Sequence, residues 1–180
     1  VGDRVLVIGA GVVGLLIAWL ISRIPSTDVI IIDVNEARVG VAERLGLHFA
    51  TEPPSGMDAD MVLHASGSPD GLSTALSAAG PEGRIVEVSW FGDRPVTLPL
   101  GESFHDRRLT IRSSQVGRIP PERAPRWDYA RRMVVALELL ESAAVDALIS
   151  DESAFDDLPD VMERLARSGG DTLCHRIRYD

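Results

Sequence analysis

The run Val5-Leu6-Val7-Ile8 leads directly into Gly9-Ala10-Gly11-Val12-Val13-Gly14 and then into an apolar stretch that ends near Ile24. A β-branched apolar run, a GxGxxG turn and a helix-forming segment in that order leave few folds open. Gly9 permits the tight turn out of the strand, Gly11 lets the backbone come close to a pyrophosphate, and Gly14 lets the helix pack against the strand. Val12 and Val13 open the helix, where unpaired N–H groups and the helix dipole favour an anion. The competing reading is a glycine-rich turn with a purely structural role.

Beyond Ile24 the strand and helix alternation repeats. DVIIID over 28–33 reads as a second strand, and 35–46 as a helix that Asn35 caps and Gly46 stops. A very short strand is expected at 48–50 and another strand at 61–65. Ser68 and Pro69 open a helix that runs to about Ala79, a turn fills 79–83, and a strand fills 84–88. Beyond these lie a strand at 109–114, an amphipathic helix at 124–142, a helix at 157–168 and a final strand at 172–179. The first two strands are almost uniformly apolar, as when helices cover both faces of a sheet. The expectation is an α/β fold: a Rossmann-type doubly wound parallel sheet with helices on both faces. Residues 1–142 form its dinucleotide-binding domain and 143–180 a C-terminal segment.

Composition bounds the function. The chain has 180 residues, enough for one good core, and 27 acidic against 18 basic residues give a net charge of -9. That average field repels polyanions, which argues against nucleic acid and against an anionic membrane as partner. All the basic residues are Arg, so no lysine Schiff base or lysine general base exists. Cys174 is the only cysteine, which excludes an internal disulfide and a thiolate-rich metal site and fits the reducing cytoplasm. The opening VGDRVLVIGAG does not read as a signal peptide.

Asp33 closes the second strand nineteen residues beyond Gly14. A carboxylate there accepts hydrogen bonds from adenosine-ribose hydroxyls and repels a 2′-phosphate, so NAD is expected over NADP. Its plainer role would be to cap the next helix. Loops after later strands should reach the same crevice: Ala65, Ser66 and Gly67 give a narrow path past the dinucleotide, and Val88 and Ser89 would present polar backbone to nicotinamide. His64, inside an apolar strand, reads as a satisfied core or edge histidine in preference to a proton shuttle.

On VGDRVLVIGAGVVGLL, IIIDVNEARVGVAERLG and DMVLHASGSPDGLSTALSAAGPEGRIVEV, and more loosely on VDALIS, the chain resembles the cofactor-binding half of the medium-chain dehydrogenase/reductase family. That family includes zinc-dependent alcohol and polyol dehydrogenases and zinc-free quinone reductases. The resemblance implies pyrophosphate binding at Gly9, Gly11 and Gly14, ribose binding at Asp33 and a basic neighbour of the adenosine at Arg38. It places Gly67, Val88 and Ser89 near nicotinamide, with Ser113 and Ser114 as weaker matches. It also implies hydride transfer between NAD and an alcohol or carbonyl, with catalytic groups and any zinc in a separate domain that this segment lacks. One Cys and the scattered His48, His64, His105 and His175 make no zinc-ligand pattern. No residue here is expected to be catalytic.

The apolar face of the C-terminal segment would pack on that missing catalytic domain, with a second copy of the chain as the other candidate occupant. A specificity loop or partner contact is one reading of SSQVGRIPPERAPRWDYARR, with Trp127 and Tyr129 as packing residues. Two other functions stay open: a non-catalytic nucleotide-sensing or protein-interaction domain, and a methyltransferase using S-adenosylmethionine.

Overall fold

The computed structural model describes residues 1–179. Six parallel strands form one sheet: β1 (Arg4–Ile8), β2 (Asp28–Ile32), β3 (His48–Ala50), β4 (Ala59–His64), β5 (Ala79–Glu87) and β6 (Thr110–Ser113). Their order across the sheet is β3-β2-β1-β4-β5-β6, the doubly wound Rossmann arrangement. Helices α1 (Val12–Ser22), α2 (Val39–Arg44), α3 (Pro69–Ala78) and the short α4 (Ser103–Asp106) connect these strands. The expected fold class is the observed one.

Alternation along the strands builds the two layers. Val5 and Val7 point to one face, where they pack with Leu15 and Trp19 of α1, Val29, Ile31, Ala42 and Leu45. Leu6 and Ile8 point to the other, with Val62, Leu72 and Leu76 of α3, Ile85 and Leu109. Because both faces are covered, the central strands carry almost no polar residue. Among the described strand residues, the one that is both polar and buried is His64, which ends β4 on the α3 side.

Several boundaries differ from expectation. The turn expected at 79–83 is the start of β5: Ala79 pairs with Ala59, and the ladder then jumps to Met61 opposite Arg84. The residues between bulge out, with Glu82 at φ 61°. The helix expected from 124 begins later, as α5 (Tyr129–Leu140); Ala124 to Trp127 form turns on Pro120 and Arg123, and the Asp128 side chain caps the helix by accepting from Arg131 N at 2.7 Å. Asn35 does cap, accepting from Ala37 N at 3.0 Å, but it opens a 3₁₀ turn over Glu36–Arg38 ahead of α2. Gly46 stops that segment in the left-handed region, at φ 72°. Ser68 sits at the α3 N-cap without a side-chain cap bond.

After α5, which buries none of its residues, a 3₁₀ stretch over Ala143–Leu148 returns to the sheet and adds Val145 and Leu148 to the α1 side of the core. Then come β7 (Ile149–Ala154), unexpected from the sequence, α6 (Leu158–Ser168) and β8 (Cys174–Arg178), shorter than the expected 172–179. β7 and β8 pair in parallel as a small separate sheet. No helix among the described residues is long and apolar enough to cross a membrane.

Candidate functional site

The carboxyl ends of β1, β2 and β4 surround a cleft of about 690 Å³, at the point where the strand order reverses. Its walls include Gly9, Gly11, Asp33, Arg38, Ser66 and Asp70.

Gly9 leaves β1 at φ 103° and donates its N–H to Ile32 O at 2.8 Å. A Cβ on it would lie 2.7 Å from Ser66 N, so the first turn and the loop after β4 are in close contact. A Cβ on Gly14 would lie 1.8 Å from Gly9 O. Gly11 differs from both. Its backbone is extended (φ -75°, ψ 178°) and a Cβ there would meet nothing within 4 Å. The fold requires glycine at two positions of the motif, while the third faces open space.

Asp33 lies just past β2 with both oxygens engaged. Oδ2 accepts from Ala10 N at 2.7 Å, inside the glycine turn, and Oδ1 accepts from Asn35 N at 2.8 Å. The carboxylate thus ties the two loops together, yet each oxygen keeps a lone pair for a further donor. Arg38 is buried to 9% exposure, not solvated on a helix face. Its Nη1 and Nη2 donate to the carbonyls of Asp171 and Gly170 at 2.8 and 2.6 Å, while Asn35 Nδ2 donates to Asp171 Oδ1 at 3.0 Å. These bonds hold the turn over Gly169–Asp171 against this end of the cleft.

The other wall carries an array that the sequence reading missed. His64 is completely buried, with its Nδ1 2.7 Å from Glu87 Oε2 and its Nε2 2.7 Å from Ser66 Oγ. Glu87 Oε1 accepts from Ser89 N at 2.7 Å, and Ser66 Oγ also accepts from Ser68 N at 3.2 Å. Gly67, at φ 68°, donates its N–H to Ser89 Oγ at 2.9 Å, and Val88 N donates to His64 O at 2.9 Å. The signals were a carboxylate inside the apolar run RIVEV and Gly71 on α3. A Cβ on Gly71 would lie 2.5 Å from Ser66 Oγ and 2.8 Å from His64 Nε2.

The structure therefore brings Gly9, Gly11, Asp33 and Arg38 to one cleft. Val12, Val13 and Gly14 stand behind them at the start of α1, with Val13 exposed and Gly14 buried. Gly67, Val88 and Ser89 form the neighbouring wall without lining the cleft itself. Among the described residues, no group of three or more His, Cys, Asp or Glu side chains is placed to hold a metal ion.

No protein-family model matches the chain. Over 153 residues, 78% of the chain, it is 29% identical to D-guloside 3-dehydrogenase of Escherichia coli K12 and covers 43% of that protein. L-idonate 5-dehydrogenase of Escherichia coli K-12 superposes with a TM-score of 0.78 at 20% identity, over 99% of this chain and 50% of that one. An alcohol dehydrogenase of Escherichia coli CFT073 in complex with NADH gives 0.76 at 21% identity, over 98% and 52%. The chain spans about half the length of the proteins it matches. At these identities the superpositions show that the chain shares the fold of about half of each of these dehydrogenases.

Proposed function

We propose that this chain is the NAD(H)-binding portion of an oxidoreductase that transfers a hydride between nicotinamide and an alcohol or carbonyl substrate. The observation that carries the reading is the contrast within the glycine motif. Gly9 and Gly14 are demanded by packing, whereas Gly11 borders open cleft at a helix N-terminus, where a pyrophosphate would need close backbone approach. The amides of Val12 and Val13 belong to that same helix opening. Asp33 lies on the adenosine side with acceptor capacity left for ribose hydroxyls, and its charge opposes a 2′-phosphate. Arg38 spends two of its five N–H donors on the carbonyls of Asp171 and Gly170, which fixes where its charge stands beside the cleft.

Bound nicotinamide supplies the hydride chemistry. The chain's own task is to hold the dinucleotide extended along the sheet edge, with Gly67, Val88 and Ser89 walling its nicotinamide side. Polarising the substrate oxygen falls to a further domain, as the half-length match to dehydrogenases supports. Zinc, where the parent protein uses it, would belong to that domain, as among the described residues here no ligand set is assembled.

Calorimetric titration with NADH, NADPH and S-adenosylmethionine tests the reading. NADH should bind saturably and NADPH at least about tenfold more weakly, the effect of one unfavourable charge contact. Preference for NADPH would remove Asp33 from its role, and binding of S-adenosylmethionine alone would point to methyl transfer instead.

A further inference from the structure

The Glu87–His64–Ser66 array, built around the buried His64, has no part in the function just described. We propose that these residues form a hydrogen-bonded positioning chain that makes the Ser66 hydroxyl a donor to a phosphate oxygen of the dinucleotide in the cleft. The inference rests on the dinucleotide reading and adds a recognition element to it.

Hydrogen-bond accounting carries the argument. Both Glu87 oxygens are acceptors, Oε2 to His64 Nδ1 and Oε1 to Ser89 N, and the side chain is only 12% exposed beside a ring with no exposure. Glu87 accepts from His64 Nδ1–H in either charge state of the ring, and with an anion in the cleft the matching state is the imidazolium, in which both ring nitrogens donate. His64 Nε2–H then points at Ser66 Oγ, which also accepts from Ser68 N. With both lone pairs taken, the Ser66 hydroxyl has only its proton to offer a ligand. In the neutral ring Nε2 would accept that proton, leaving Ser66 an acceptor facing an anion. The charge on His64 therefore sets the polarity of the Ser66 contact.

Location identifies the ligand atom. Ser66 is exposed on the cleft wall, and its backbone is the closest neighbour of Gly9 at the glycine turn. Gly71 of α3 leaves room for the Ser66–His64 bond, Phe91 stacks on the imidazole at 6.1 Å, and Ile8 of β1 is its strand partner. The charged group in contact with the ring is Glu87 on β5, and the cleft that Ser66 faces is lined further by Asp33, Arg38, Glu52 and Asp70.

The test is NADH titration of the chain and of Ser66→Ala, His64→Gln and Glu87→Gln from about pH 5.5 to about 8.5, the range in which imidazoles change charge. Wild-type affinity should rise as pH falls, with proton uptake on binding. Ser66→Ala should bind about tenfold more weakly at the acid end, the scale of one hydrogen bond to a charged group, and its profile should be flat. His64→Gln should also give a flat profile. Ser66 is exposed, so its variant carries the test even where substitution of His64 unfolds the protein. A merely structural array would lower affinity and leave the pH slope intact. A flat wild-type profile, or Ser66→Ala with the wild-type slope, overturns the proposal while the NADH reading stands. Failure of wild type to bind NADH at any pH overturns both.

Discussion

At the scale of single residues, the three glycines of one motif do different work. Gly14 is a packing residue: a methyl group there would collide with Gly9 O at 1.8 Å, and only backbone movement relieves the clash. Gly14→Ala should cost about 1–3 kcal/mol, the usual range for overpacking, measured by denaturant unfolding. Gly11 sits at the N-cap of α1 with a conformation open to any L residue and space around its Cβ. Threonine is about as good a cap as glycine, so Gly11→Thr should change stability by no more than about 0.5 kcal/mol. Its side chain would occupy the place of the pyrophosphate, and NADH binding should disappear. Retained affinity in a folded Gly11→Thr protein would remove the motif from the binding site.

At the scale of elements, the features legible in advance were those that announce themselves locally. β1 and β2 are apolar runs because both of their faces are covered, and Gly46 marks the end of its helical segment by its left-handed backbone. β7, by contrast, is the polar run ISDESA, half to fully exposed, and its strand character depends on a partner more than twenty residues away. The same distance hid the His64–Glu87 contact: each residue was visible, but only the parallel register of β4 and β5 sets them side by side. Ion pairs join β7 and β8 alongside their backbone ladder. The Arg176 guanidinium bonds to the Glu152 carboxylate, with Nε to Oε2 at 3.0 Å, and holds its carboxyl below the ordinary value. The Glu152 N–H, and after it Arg164, does the same for Asp151. Groups depressed in the folded state stabilise it above the unfolded carboxylate range and lose that contribution as pH falls through their folded values. The side-chain carboxyl resonances of Asp151 and Glu152 should therefore titrate below the ordinary values of their residue types. Arg176→Ala should move the Glu152 midpoint upward, and an unchanged midpoint would show that the pair does not act in solution.

For the molecule as a whole, the question is whether the segment after α5 is an appendage of the Rossmann unit or a part of its core. Sequence reading separates it at residue 143, as a segment whose apolar face would pack on a missing catalytic domain. Packing points the other way. Leu148 is 5% exposed and shares one cluster with Leu45, Leu47, Trp19 and the strands β1 and β2, while Arg44 Nη2 donates toward Ala147 O at 3.5 Å. Farther along, Arg38 and Asn35 hold Gly170 and Asp171 at the cleft. A core is cooperative, so a cavity made at one end should be felt throughout it. Leu148→Ala should cost about 2–5 kcal/mol, a large share of the roughly 5–15 kcal/mol that holds a domain together. The loss should shift the one transition reported by buried Trp19, monitored by fluorescence with exposed Trp90 and half-buried Trp127 replaced by Phe. In an appended unit the same substitution would melt the segment early and leave the Trp19 transition where it was. A single displaced transition would show instead that the turn bordering the Arg38 end of the cleft is held by the same core that presents the glycine motif.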